Sequence, residues 1–383
     1  MLPFSYAVRN LFRSRSRLLQ TIGGSALVVL LVMSAVAING GMKRVLSASG
    51  SPNNVILLGA GSEESIQRSE VPDRTVGIAE AGIPGISESL GVRAVSSEIH
   101  YMNYLSFPDG RRSQAMFRGV TPQALRVHPE VRILEGTFPG AGQIMAGRLA
   151  WRKLGLKEGD LKVGTRVLLD SQEMQISGLF AAPGTVLESE LWASLGDLRV
   201  LAKRETVSCV VLRLDDPADF AEADVFAKQR LDLELSALRE SDYYDRLSSF
   251  FKPLRVMTWI TAGLIAAGAL FGGVNTLYAA FASRVREMAT LQAIGFGRGP
   301  LLLSLVQEST LACLTGALLA SLIALLVLDG RTVPFSIGAF TLEIGPAAAV
   351  AGVLTGFLLG LLGALPPALR CLKPALHTAL RMS

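Results

Sequence analysis

Four long apolar stretches constrain this chain more than anything else in it: residues 18–42, 256–282, 301–328 and 344–369. Crossing about 30 Å of hydrocarbon takes roughly 20 predominantly apolar helical residues, and each stretch is long enough. Three carry no charge at all, and 301–328 carries only Glu308. The expected fold is an α-helical membrane protein with four transmembrane helices, and with a large α+β extracytoplasmic domain with its stalk (residues 43–255) inserted between the first and second.

Charge placement orients the spans. Outside the large block, Arg9, Arg13, Arg15, Arg17, Arg284, Arg286, Arg298, Arg370, Lys373 and Arg381 fall in segments on one side of the four stretches, with Glu287 the only carboxylate among them. Residues 329–343, on the other side, hold one basic residue, Arg331. An excess of Lys and Arg marks the cytoplasmic face. Both termini and residues 283–300 are therefore expected in the cytoplasm, in a multi-pass protein of the inner membrane. The block 43–255 has 26 basic and 28 acidic residues, so the net charge of +5 reflects topology and is no footprint of nucleic acid. Cys209, Cys313 and Cys371 form no disulfide framework, since only Cys209 falls in the exported block.

Residues 1–17 read as an interfacial amphipathic helix, with Phe4, Ala7, Val8, Leu11 and Phe12 on one face and arginines interleaved. A cleavable signal peptide ending at Ala35-Val36-Ala37 is the alternative, but the apolar run exceeds the usual 7 to 15 or so residues, which favours a retained span. In the large block, strands are expected at 54–58, 92–104, 114–119, 166–169, 173–180 and 207–214, and helices at 146–154, 195–202 and 217–231. A weak internal boundary lies near 139–142. Residues 232–252 read as a charged helix running into the second span with only Pro253 as a break, either a mechanical stalk or an ordinary linker.

Small residues recur every four positions in three spans: Gly268 and Gly272, then Gly316 between Ala312 and Ala320, then Gly352, Gly356 and Gly360. Such spacing lets helix backbones approach closely in lipid. These faces are expected to pack the four helices together rather than to form a dimer seam. Glu308 lies seven residues past Leu301, about 10 Å along a helix. It is within reach of Arg284, Arg286 or Arg298, which favours a structural or coupling role over proton or substrate transport.

Between the second and third stretches, the insert SRVREMATLQAIGFGRGP puts Val285, Met288, Ala289 and Ile294 on one side of a short helix and points Arg284, Arg286 and Glu287 elsewhere. Gly295, Gly297, Gly299 and Pro300 end it. Catalytic signatures are missing. His100, His128 and His377 stand apart, the first two read as surface or satisfied histidines, and no metal, nucleophile-elbow or phosphate-loop motif occurs. The chain is expected to have no enzymatic activity and no cofactor of its own.

The run from Ser283 onward, with Arg284, Arg286, Glu287, Ile294, Gly295, Glu308 and Gly316 at matching positions, resembles the ABC-transporter permeases typified by the macrolide-exporter, lipoprotein-releasing and cell-division permeases. The ending around Pro367, Pro374 and Ala379-Leu380-Arg381, and residues 154–180 of the outer block, resemble that family too. The resemblance implies a permease working with two copies of a separate ABC ATPase, which binds ATP and magnesium. A second permease copy, as homodimer or related heterodimer, is implied, as are a periplasmic adaptor and an outer-membrane partner. It makes residues 283–300 a coupling helix, with Arg284, Arg286, Glu287, Met288, Leu291 and Gly295 as contacts: Arg286 and Glu287 polar, Met288 and Leu291 filling a groove. Unlike the macrolide exporter, the chain begins directly at the interfacial helix, which makes the ATPase separate. Two functions remain open: extrusion of a hydrophobic or amphipathic substrate, and signalling to an extracytoplasmic hydrolase. The size of the outer block favours extrusion.

Overall fold

The structure is a computed structural model that describes residues 4–373; the tail from Pro374 through His377 to Arg381 lies outside the described residues, as do the side chains of Phe4 and Ala7. The chain divides into two compact units, one of residues 1–40, 253–331 and 342–383, the other of residues 41–252 and 332–341.

The first unit is helical. It holds α1 (Phe4–Leu11), most of α2 (Arg15–Ser49) and, after α3 (Glu240–Phe250) of the second unit, α4 (Lys252–Ala282), α5 (Val285–Ala293), α6 (Arg298–Ile323) and α7 (Pro346–Cys371). Among the described residues, four helices are long and apolar enough to cross a membrane: α2, α4, α6 with the π-helical turn Ala324–Leu328 that extends it, and α7. Their packing is uneven. A Cβ on Gly316 would strike the Ser25 hydroxyl and come within 2.7 Å of the Ile22 carbonyl, so α6 and α2 touch backbone to backbone there. Gly352 meets Met33 of α2, and Gly356 and Gly360 meet Ala317 and Thr310 of α6. Gly268 and Gly272 of α4 depart from the expectation of internal packing: nothing lies within 4 Å of a Cβ at either. Gly316→Leu is expected to cost about 1–3 kcal/mol by overpacking, whereas Gly268→Leu leaves stability unchanged. Thermal unfolding of the detergent-solubilised protein separates the two.

The second unit is built on ten paired strands: β1 (Asn54–Gly59), β2 (Val95–Ser106), β3 (Arg112–Val120), β4 (Arg132–Gly136), β5 (Gln143–Gly147), β6 (Arg166–Leu169), β7 (Gln172–Ala181), β8 (Leu191–Ser194), β9 (Cys209–Arg213) and β10 (Leu235–Arg239). They run in the order β10-β1-β9-β2-β3-β8-β5-β7-β4, with β6 against β2 and β7. The β3–β8 and β5–β7 pairs are parallel and the others antiparallel. The long β2 ties the halves together: Val95 to Glu98 pair with β9, and Ile99 to Ser106 with β3. Alternation along β2 sends Val95, Ile99 and Leu105 into the main apolar core and turns Glu98 and His100 to the opposite face.

Several local expectations change here. Residues 143–147 form a strand, and only Ala150–Lys153 of the expected helix 146–154 is helical. The charged segment after Asp232 is not one helix, because Leu235 to Arg239 pair with β1 before α3 begins. The expected boundary near 139–142 is a turn between β4 and β5, both inside one sheet, and residues 332–341 form a hairpin, β11 (Thr332–Phe335) with β12 (Gly338–Thr341). That hairpin packs on the second unit: Ala339 N–H donates to Ser189 Oγ at 3.0 Å, Arg152 donates to the Thr332 hydroxyl, and Phe340 lies over Gly41.

Candidate functional site

In the helical unit, α5 is bolted to its neighbours by a chain of charges. Glu308, 6% exposed on α6, accepts from Arg17 Nη2 of α2 through Oε1 and from Arg284 Nη1 through Oε2, both at 2.8 Å. Arg284, the residue before α5, also donates from Nε to Glu287 Oε2 at 3.3 Å. Glu287 in turn accepts from the Tyr6 hydroxyl of α1 and from Arg13, each at 3.1 Å. Two carboxylates thus hold three guanidiniums, and four segments of sequence meet in one network. The buried Glu308 pairs carry most of its energy. Arg13 is mostly exposed, and exposed pairs contribute little.

Each expected contact residue of α5 now has a place. Val285, Met288 and Ala289 are buried with Phe281, Leu301 and Leu305, and Leu291 packs partly against the same cluster. Met288 is only 1% exposed, so in this arrangement it holds α5 to its own unit and cannot fill a partner's groove. Glu287 is half-buried and turned toward Tyr6, Arg13 and Arg284. Ile294 also departs from expectation, at 71% exposed rather than on the buried side. Nine residues on from Val285 is about two and a half helical turns, which points it the opposite way. Arg286 and Arg298 are exposed, so of the three candidate partners of Glu308 only Arg284 is used. Gly295 follows the helix with φ +106°, a left-handed conformation that glycine adopts without strain and that ends α5 beside the exposed Ile294. The sequence reading missed Tyr6, Arg13 and Arg17 as members of the network. The signal lay in Arg17, a cation at the mouth of one span facing the lone carboxylate of another.

Comparison with known proteins supplies the context. The family described as MacB-like periplasmic core domain matches residues 18–225, more than half of the chain, and the FtsX-like permease C-terminal family matches residues 259–376. The chain belongs to the MacB/FtsX-like ABC permeases. Such permeases are membrane components of ABC transporters and work with ABC ATPase partners. Solved structures similar to this permease include the periplasmic region of MacB from Actinobacillus actinomycetemcomitans, at 10% identity over 54% of this chain and 96% of that one with a TM-score of 0.39. Another is the extracellular domain of the noncanonic ABC-type transporter YknZ from Gram-positive bacteria, at 13% identity over 49% of this chain and 100% of that one with a TM-score of 0.38. No curated protein sequence matches.

The permease carries a second charged cluster, buried in its sheet domain. Arg118 of β3 donates from Nε and Nη2 to both oxygens of Glu190, at 2.7 and 2.8 Å, and from Nη1 to Glu98 Oε2 at 2.6 Å. Trp192 Nε1 donates to Glu190 at 3.1 Å, and His128 Nε2 lies 3.1 Å from Glu98 Oε1. Glu240, the first residue of α3, accepts from Ser51 N–H and Asn54 Nδ2, so it pins the start of α3 to the segment that follows α2. His128 is thus a core residue and not a surface one. Glu98, His100 and Cys209 also put possible ligand atoms within 4.8 Å of one another, but Arg118 and His128 already occupy the oxygens of Glu98.

Charge balance fixes the protonation. Burial alone would lower the His128 pKa, but Glu98, then Glu130 and Glu240, raise it from 6.5 to about 10. Burial likewise pushes Glu98 up, yet Arg118 and His128 hold it well below the ordinary carboxylate value. The signs follow from linkage. His128 has a raised folded pKa, so its stabilisation is full below about 6.5 and is lost as pH climbs through about 10. Glu98 has a depressed one, so its share is present above about 4.5 and is lost as pH falls through the folded value. The unfolding midpoint, followed through the fluorescence of Trp192 whose ring lies 6.2 Å from that of His128, is expected to fall between neutral and pH 10. His128→Gln flattens that limb.

Proposed function

We propose that this permease converts ATP binding and hydrolysis by a separate ABC ATPase, which supplies the ATP and magnesium sites, into movement of its sheet domain. The work done is extrusion of a hydrophobic or amphipathic substrate. In this reading all four long helices span the inner membrane, with both termini and α5 on the cytoplasmic side. Residues 43–252 form the extracytoplasmic domain between the first and second spans. Two permease copies, identical or related, pair with two ATPase copies, and a periplasmic adaptor and outer-membrane partner complete the path. The match of the outer block to a MacB-like core favours extrusion over signalling to a hydrolase.

One observation carries the reading: α5 is fastened on its inner side to α1, α2 and α6, while Arg286 on its outer side, Ile294 just past its end and Arg298 at the start of α6 are exposed. A helix so built passes on a push instead of absorbing it. Arg286→Glu combined with Ile294→Asp is expected to abolish co-purification of the ATPase while leaving the permease folded. Unchanged association and turnover would sink the coupling assignment.

A further inference from the structure

The helical unit holds a partly open cavity of about 270 Å³ between α2, α4, α6 and α7. Its walls are mostly apolar, with Leu270 and Gly272 of α4, Cys313 of α6 and Leu359 of α7 among them. It exists because α4 does not close against its neighbours: no atom lies within 4 Å of a Cβ at Gly272 or Gly273. A smaller cavity shares Thr21, Leu277 and Ser309 with it and reaches Arg17 and Glu308. The space therefore has an apolar body and one charged end on the side of α1 and α5, where Arg17 is paired with Glu308 and the nearby Arg13 and Arg15 are exposed, which leaves an excess of positive charge.

Ser309 is 4% exposed and lines both cavities. Among the described residues its hydroxyl faces only the Cys313 thiol, a weak partner, and is left able to donate to a stronger acceptor in the cavity. An apolar cavity of about 150 Å³ stays dry and takes benzene, and this one is nearly twice as large. A helix of a second copy, about 10–12 Å across, is too wide to enter. Inside a bilayer the remaining matter of suitable shape is an acyl chain.

We propose that this cavity binds one acyl chain of an anionic glycerophospholipid from the leaflet on the side of α1 and α5, which rests on the reading of these helices as spans. The chain lies along Gly272 and Gly273, an ester carbonyl accepts from Ser309, and the phosphate sits by Arg17 and the exposed Arg13 and Arg15. A lipid in this position occupies the gap between α4 and the helices that the charge network fastens to α5.

The test uses the full chain in phosphatidylethanolamine nanodiscs that contain phosphatidylglycerol, or instead phosphatidylcholine, bearing a photoreactive acyl chain. Adducts are expected to concentrate on residues 269–277 and 309–313, several-fold more with phosphatidylglycerol. Gly272→Leu with Gly273→Leu, for which the backbone leaves room, is expected to remove them without lowering the unfolding midpoint. Adducts at the outward-facing Leu318 and Val353 stay the same and report that the helices span. Equal labelling of all outward faces, insensitivity to the double substitution, or equal labelling by both lipids overturns the proposal. Loss of the Leu318 and Val353 adducts as well overturns the spanning reading with it.

Discussion

Arg118→Met is expected to destabilise the sheet domain by about 3–5 kcal/mol, the cost of breaking a buried ion network from one side. Arg118 is 3% exposed and is shared by Glu98 and Glu190, themselves 0% and 4% exposed. Without it Glu98 keeps His128, but Glu190 keeps only the Trp192 N–H. The pH dependence should then change sign. In the parent protein Arg118 holds Glu190 below the ordinary carboxylate value against the effect of burial, so acid removes stability. In the variant burial, the largest influence on Glu190, is opposed only by the weaker effects of His100 and the Trp192 N–H and is expected to raise the folded pKa, so stability is gained as Glu190 takes up a proton. Adding Glu190→Gln removes the need for that proton and should restore part of the loss. Denaturant unfolding followed through Trp192, at neutral pH and near pH 5, checks both claims. A loss under about 1 kcal/mol, or an unchanged pH slope, would mean that water reaches the cluster and screens it.

The membrane half of this protein was legible because hydrocarbon imposes length and polarity rules that leave few alternatives. Four helices could be placed from composition, and Gly316, Gly352, Gly356 and Gly360 from spacing alone. Spacing does not say which partner a face finds, and Gly268 and Gly272 carry the same pattern with no neighbour against them. The sheet domain was harder. Leu235 and Leu238 are both buried three residues apart, which mimics a helix turn, and only the ladder from Val55↔Arg239 to Gly59↔Leu235 makes the segment a strand. The edge strand β4 is exposed throughout, and its adjacent Ile133 and Leu134 show no alternation between a buried and an open face. Glu98 and His100, two apart on a strand, were readable as sharing a face. Arg118 beside them depends on the β2–β3 register, His100↔Arg118, which no local pattern encodes. The same holds for the charge network around α5, where Arg284 was within sequence reach of Glu308 but Arg17 and Tyr6 arrive from the far end of the chain.

Glu308→Leu is expected to uncouple the permease from its ATPase more completely than any change on the exposed side of α5 that leaves binding intact. Among the described residues the carboxylate joins α2, α5's leading Arg284 and α6, and its removal leaves Arg284 buried with the longer 3.3 Å contact to Glu287 as its remaining ion pair there. Arg284 Nη2 already lacks a hydrogen-bond partner, so the site has no spare acceptor to offer. With the buried Arg284 and the half-buried Arg17 left to repel each other, α5 is expected to loosen from α6 while Met288 and Val285 still hold it loosely in place. ATPase association through Arg286 and Ile294 should therefore persist, but transport-coupled turnover should fall. Networks of this kind shift coupling by about 0.5–2 kcal/mol, a factor of roughly two to thirty. The decisive measurement is a double-mutant cycle on reconstituted complex. If Glu308→Gln and Arg284→Gln act through each other, the pair together costs little more than either alone. Additive losses would mean that Glu308 serves only to pack α6, and the transmission role would pass to the apolar contacts of Met288 with Leu301 and Leu305.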